Sequence, residues 1–212
     1  ITEDVWVSPS GSDDENLGTS ESEAFLTIER ALEMISPKDD DPIIINLREG
    51  TYSPSTNGEN FPIIMLSNVY LVGQGITQTF VDAEQTDRVI TFNKDYNNLI
   101  SDFTIKNGKV YGHYSTRIGG GILISYSNPT LENLLITKNC AKNGVGLYLE
   151  GSNPIIKDVT VSDNICEGEP NDCEKGTGMY LYGSNPTLTN VNISNNKAFH
   201  GGGMYIENSN LF

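Results

Sequence analysis

Positive charge is scarce in this sequence: 13 lysines and arginines stand against 28 aspartates and glutamates, for a formal net charge of -15. Residues 1–50 hold 13 of the acids and 3 of the bases, so the imbalance is concentrated near the N-terminus. A field of that sign repels nucleic acid and anionic membrane surfaces, and neither is expected as a partner. Histidine occurs twice and cysteine three times. There is no Cys-x-x-Cys pair and no histidine cluster, so a zinc site is not expected. No apolar run approaches the ~20 residues that a membrane-crossing helix needs. An initiator methionine and a signal-peptide pattern are both missing, as in a processed or trimmed chain.

What the chain has in abundance is repetition. Ser-Asn-Pro occurs at 127–129, 152–154 and 184–186, spaced by 25 and then 32 residues, which is one period followed by the same period with a seven-residue insertion. Aligned on that triplet, Gly121, Gly146, Gly178 and Gly203 share a column, as do Leu131, Ile156 and Leu188. Within each copy apolar residues alternate with period two, the spacing of strands. Ile122/Leu147/Met179/Met204 and Ile124/Leu149/Leu181/Ile206 point inward, and Leu123/Tyr148/Tyr180/Tyr205 lie between them and point out. A second inward pair follows the proline, at Leu134/Val159/Val191 and Ile136/Val161/Ile193. One such coil cannot bury its own apolar face. Stability requires neighbouring coils to stack with parallel strands about 4.8 Å apart, which predicts an all-β parallel solenoid. One helix is expected, from the spacing of Ile28, Ala31, Leu32 and Ile35 between a Thr27 N-cap and the Ser36-Pro37 stop, capping the open N-terminal coil.

Gly119-Gly120-Gly121-Ile122 and Gly201-Gly202-Gly203-Met204, with Ile136-Thr137-Lys138-Asn139 and Ile193-Ser194-Asn195-Asn196, resemble the repeats of secreted right-handed parallel β-helix proteins of the pectin-lyase-like fold. They also resemble repeats of polymorphic outer-membrane proteins, with Ile or Val where that motif has Phe. The first hundred residues resemble the N-terminal part of a bacterial β-helix family of unknown function. That likeness runs through Val5-Trp6-Val7-Ser8-Pro9, Phe25-Leu26-Thr27-Ile28, Arg48-Glu49-Gly50-Thr51-Tyr52 and Val69-Tyr70-Leu71-Val72-Gly73. These resemblances imply a right-handed coil and a secreted or cell-surface, bacterial setting. They imply no reaction.

The expected organisation is one solenoid over 1–212: a strand and capping helix in 1–42, irregular coils in 43–107 and regular coils of about 25 residues in 119–212. The sequence stops at Asn210-Leu211-Phe212, inside a fourth copy, so further coils or a partner are expected at that end. Cys166 and Cys173 flank the inserted loop. They are expected either to form a disulfide at its base or to remain buried thiols.

Candidate site residues fall into four groups. Asn139, Asn164 and Asn196, extended back to Asn107, are expected to form a structural ladder of side-chain amides. Insertions at 109–118 and 167–175 share a junction and should form a wall beside a groove. His113 or Tyr114 there could accept a proton and Arg117 bind a carboxylate, as in eliminative cleavage of an acidic polysaccharide. The paired-aspartate and Gly-His-Gly segments of polygalacturonases are absent. Tyr148, Tyr180 and Tyr205 could form a flat strip for a glycan chain, or be ordinary strand residues. Asp82, Glu84 and Asp87 offer oxygen ligands to calcium without its diagnostic loop spacing, and no other cofactor is expected. Three functional readings follow: a binding or scaffolding module facing polysaccharide or cell-surface glycan, a polysaccharide lyase or related enzyme acting on uronate polymers, and an adhesive stalk.

Overall fold

A computed structural model describes residues 1–39, 41–111, 117–165 and 174–211. The first strands are β1 (Val5–Val7), β2 (Ile43–Leu47), β3 (Gly50–Tyr52) and β4 (Ile63–Ile64), followed by β5 (Val69–Val72), β6 (Thr79–Asp82) and β7 (Ile90–Asn93). The regular coils contribute β8 (Leu99–Lys106), β9 (Ile122–Ser125), β10 (Thr130–Thr137), β11 (Leu147–Glu150) and β12 (Ile155–Ser162). Then come β13 (Met179–Tyr182), β14 (Thr187–Thr189), β15 (Asn192–Ser194) and β16 (Met204–Glu207). One sheet runs β1-β2-β5-β8-β10-β12-β14, and the other β4-β7-β9-β11-β13-β16. Neighbours pair in parallel throughout, and the fold is a right-handed parallel β-solenoid.

The expected columns are vertical neighbours. Val5, Ile45, Leu71, Ile100, Leu131, Ile156 and Leu188 align through successive pairs, and the first six are fully buried. Each such side chain contributes roughly 1.5–3 kcal/mol by leaving water. Gly121, Gly146 and Gly178 lie where the next coil passes closest. A Cβ on Gly146 would stand 2.6 Å from the Gly178 oxygen and 2.6 Å from Val161 Cγ1.

Corners are made by single residues at positive φ, and these also form columns. Asp102, Asn133, Asp158 and Asn190 bend the long strands, with φ between 47° and 65°. That bend resets the alternation, so the inward residues of β10 are Leu131, Leu134 and Ile136. Asn and Asp tolerate this conformation better than other residues with a Cβ. Their side chains also hand off along the column, Asn133 Nδ2 donating to Asp102 Oδ1 and Asn190 Nδ2 to Asp158 Oδ1.

The Ser-Asn-Pro corner carries two ladders of opposite sense. Each serine accepts from the coil before it: Ser127 N donates to Ser152 Oγ, Ser152 N to Ser184 Oγ and Ser184 N to Ser209 Oγ. Each asparagine accepts from the coil after it: Asn153 N donates to Asn128 Oδ1, and Asn185 N to Asn153 Oδ1. The prolines directly precede β10, β12 and β14, where no amide is needed.

Helix α1 (Ile28–Met34) covers the first coil, and Thr27 Oγ1 accepts from Arg30 N as its N-cap. Asp13 takes the amides of Leu26 and Thr27 at 2.7 and 3.1 Å. Glu59, almost wholly buried, takes those of Ile28 and Glu29. Burial pushes the Glu59 carboxyl up to about 7 against the pull of these hydrogen bonds.

Candidate functional site

The asparagine ladder forms as expected at three of its four members. Asn139 N and Nδ2 both donate to Asn164 Oδ1, and Asn164 N and Nδ2 both donate to Asn196 Oδ1, at 3.0–3.1 Å. Asn107 is not a rung. Thr137 pairs with Lys106, so Gly108 occupies the rung position and its amide donates to Asn139 Oδ1 at 2.8 Å. Asn107 instead belongs to the corner column one residue earlier, with Lys138, Asp163 and Asn195, all at φ of 55–56°.

The tyrosine column also forms, but not as a strip for sugars. Tyr148 and Tyr180 stack with centroids 4.8 Å apart and planes 10° apart, and Tyr180 and Tyr205 at 5.1 Å and 19°. Lys175 Nζ lies 4.7 Å from the Tyr205 centroid. The faces a sugar needs are therefore spent on one another, and Tyr180 is only 7% exposed. Its hydroxyl donates to Glu207 Oε2 at 2.7 Å. Burial and that carboxylate raise the Tyr180 phenol well above its usual range, and burial pushes Tyr148 up to about 12.

The calcium candidates do not converge. Asp82 Oδ1 accepts from Glu84 N and Asn107 Nδ2, and its Oδ2 lies 3.2 Å from Lys106 Nζ. The Glu84 carboxylate takes the hydroxyls of Ser53 and Ser55 and the Ser55 amide, bonds that hold it below the usual carboxylate range. Asp87 Oδ1 caps Arg88 N. Among the described residues no three acidic, histidine or cysteine side chains are grouped to hold a metal ion. Closeness in sequence here is separation around a corner.

Cys140 is disulfide-bonded. The disulfide or buried thiols expected from the sequence concern the other two cysteines, Cys166 and Cys173. Both of those residues lie outside the described residues, as do His113 and Tyr114. Arg117 is described: it is half-buried, and its carbonyl accepts from Lys142 N at 2.9 Å.

Described residues that flank the two longer segments pair at one junction. Lys109 bridges to Cys140, while Ile118, Asn143, Lys175 and His200 bridge in a single row. Beside that junction lies a cleft of about 420 Å³, lined among others by Gln85, Asn107, Lys109, Lys138, Asp163 and Ile165. Its wall combines the corner column (Asn107, Lys138, Asp163) with the row after the ladder (Lys109, Cys140, Ile165). Lys109 Nζ lies 5.3 Å from the ring of Tyr111, which is 60% exposed. Arg88, from the coil before, anchors the far end of the first segment, donating from Nε to Gly119 O at 2.8 Å and from Nη2 to Ile118 O at 2.7 Å. Desolvation lowers the Arg88 guanidinium below its usual value. The sequence pattern marked the junction but not Lys109, Lys138 or Arg88. The column one residue before each ladder asparagine carried the signal for Lys138.

A family model described as a protein of unknown function, DUF1565, matches residues 10–211. The chain belongs to the DUF1565 family. A Rickettsia felis protein named as a surface cell antigen, sca2, is 30% identical to this DUF1565 chain over 128 residues, 58% of this chain and 7% of that protein. Pectin methylesterase PemA from Erwinia chrysanthemi superposes with a TM-score of 0.57 at 14% identity, covering 90% of this chain and 55% of that one. A pectin methylesterase variant in complex with a hexasaccharide gives 0.58 at 13% identity with the same coverage. At such identities the likeness carries the fold alone. The chain spans about half the length of those solved structures and a small part of the antigen.

Proposed function

We propose that this DUF1565 chain is a secreted or surface-displayed β-helix module that binds glycans, with the cleft beside Asn107, Lys109 and Lys138 as its site and no catalytic step in these residues. One observation carries the reading: amide, ammonium and carboxylate groups line one open cleft, and the exposed Tyr111 ring lies 5.3 Å from the ammonium of its lining residue Lys109. Sugar hydroxyls pair with Gln85, Asn107 and Asp163. An apolar sugar face stacks on Tyr111, worth ~0.5–1.5 kcal/mol beyond its area. Two lysines in the wall of an otherwise acidic protein favour a sugar that bears a carboxylate. The likeness to a surface antigen supports display at a cell surface, and the hexasaccharide held by a pectin methylesterase supports a coil of this kind as a platform for sugar chains.

Affinity electrophoresis against neutral and uronate polysaccharides tests this, with Lys109→Ala, Lys138→Ala and Tyr111→Ala set beside Tyr180→Ala. The first three substitutions are expected to weaken retention by a uronate polymer about tenfold each, at ~1–1.5 kcal/mol per contact. Indifference of all three would remove the cleft. Unsaturated uronate or methanol released from the polymer would overturn the non-catalytic reading and return attention to the segment holding His113, Tyr114 and Arg117.

A further inference from the structure

The two sheets do not begin at the same level. The first runs back to β2 and β1, whereas the second stops at β4, and in the coil before β4 the chain forms helix α1 instead of a strand. Ile63 and Met65 donate their amides forward, to Val89 O and Thr91 O. The other side of β4 has no strand partner. There a groove of about 320 Å³ lies between the strand and the helix, floored by Leu32, Pro62, Ile64 and Leu66 and bordered by Glu29 and Glu33. Ile64 is 60% exposed and Leu66 39%. An aliphatic pair this open beside a sheet edge is the arrangement that receives an added strand.

We propose that this groove docks an extended peptide segment of a partner protein in which aliphatic residues alternate with lysine or arginine. Added alongside β4, the segment fills the place of the strand that α1 replaces. Its aliphatic side chains cover Leu32, Ile64 and Leu66, and its basic ones reach Glu29 and Glu33. Charge selects this occupant. Residues 1–50 carry 13 acids and 3 bases, and Arg30, on the same helix as Glu29 and Glu33, reaches Glu33 only at 3.5 Å in an exposed pair. Two copies of the chain meeting at this end would bring like charges together, whereas a basic strand is drawn in.

Fluorescence anisotropy of the full chain with a labelled octapeptide alternating valine and lysine tests the proposal. The controls are a valine-glutamate octapeptide and a block peptide of four valines followed by four lysines. The alternating basic peptide is expected to bind best, and raising the salt from about 50 to 500 mM should weaken it at least tenfold. Ile64→Ser, at a 60% exposed position, is expected to weaken it about tenfold while a parallel melting curve checks that the fold is retained. Glu33→Gln should flatten the salt dependence. Absence of binding, equal binding of the acidic or block peptide, undiminished binding by Ile64→Ser, or an Ile64-dependent dimer in light scattering would each overturn it.

Discussion

Asn164→Ala would remove the centre of the buried ladder. The side chain makes four hydrogen bonds: Oδ1 accepts from Asn139 N and Nδ2, and Nδ2 donates to Ile136 O and Asn196 Oδ1. Asn139 and Asn164 are fully buried, so water cannot take over. The Asn139 amide and the Ile136 carbonyl are left without these partners, and each such group costs ~1–3 kcal/mol. With the two amide–amide bonds lost as well, the expected destabilisation is about 4 kcal/mol, a large part of the 5–15 kcal/mol typical of a folded domain. Asn196→Ala is the internal control. Its bonds to Asn164 N and Val161 O lie where the residue is half-exposed, and water should limit the loss to ~1–2 kcal/mol. Guanidinium titrations followed by far-ultraviolet circular dichroism measure both, and the slopes check that unfolding stays cooperative. A loss below ~1 kcal/mol for Asn164→Ala, or equal losses for the two variants, would refute the ladder as a source of stability.

Glu59 gives a pH prediction. Its folded value of about 7 lies above the ordinary 4.5, so its contribution is complete below pH ~4.5 and falls away as pH rises through 7, by ~3 kcal/mol in all. Melting temperatures at pH 5 and pH 8 should differ, and Glu59→Gln should shrink the difference; an unchanged difference would contradict the burial argument. Gly146→Ala forces a Cβ against Gly178 O and Val161 Cγ1 and should cost several kcal/mol, whereas Gly183→Ala, at φ +57° in open space, should cost ~1–2 kcal/mol. Denaturant midpoints of the two separate close approach from backbone conformation. Reduction with dithiothreitol should lower stability by about 3 kcal/mol, and a non-reducing peptide map should find Cys140 in the crosslinked fragment.

The stacking of coils was legible because Leu131, Ile156 and Leu188 recur at one period, and a period of this kind has one cheap solution. Asn139, Asn164 and Asn196 were legible for the same reason. Asn107 misled because the Gly108 amide alone can end the ladder, so the rung there needs no side chain. Lys138 sat unseen in the corner column because its neighbours there are Asn107 and Asp163, and a column held by backbone conformation need not share chemistry. The tyrosines were placed correctly in sequence. What the one-dimensional pattern did not carry is that strand spacing is also a stacking distance for rings. Asp82, Glu84 and Asp87 were close along the chain, but each finds its partners on a different coil or turn.

The Ser-Asn-Pro corner works as plug and socket at once, its serine receiving from the coil behind and its asparagine from the coil ahead. Any coil bearing that triplet can therefore sit beside any other without redesign of either. Gene duplication or recombination at this corner can lengthen or shorten the molecule in whole steps, moving whatever it displays nearer to or farther from its base while leaving every joint as it was.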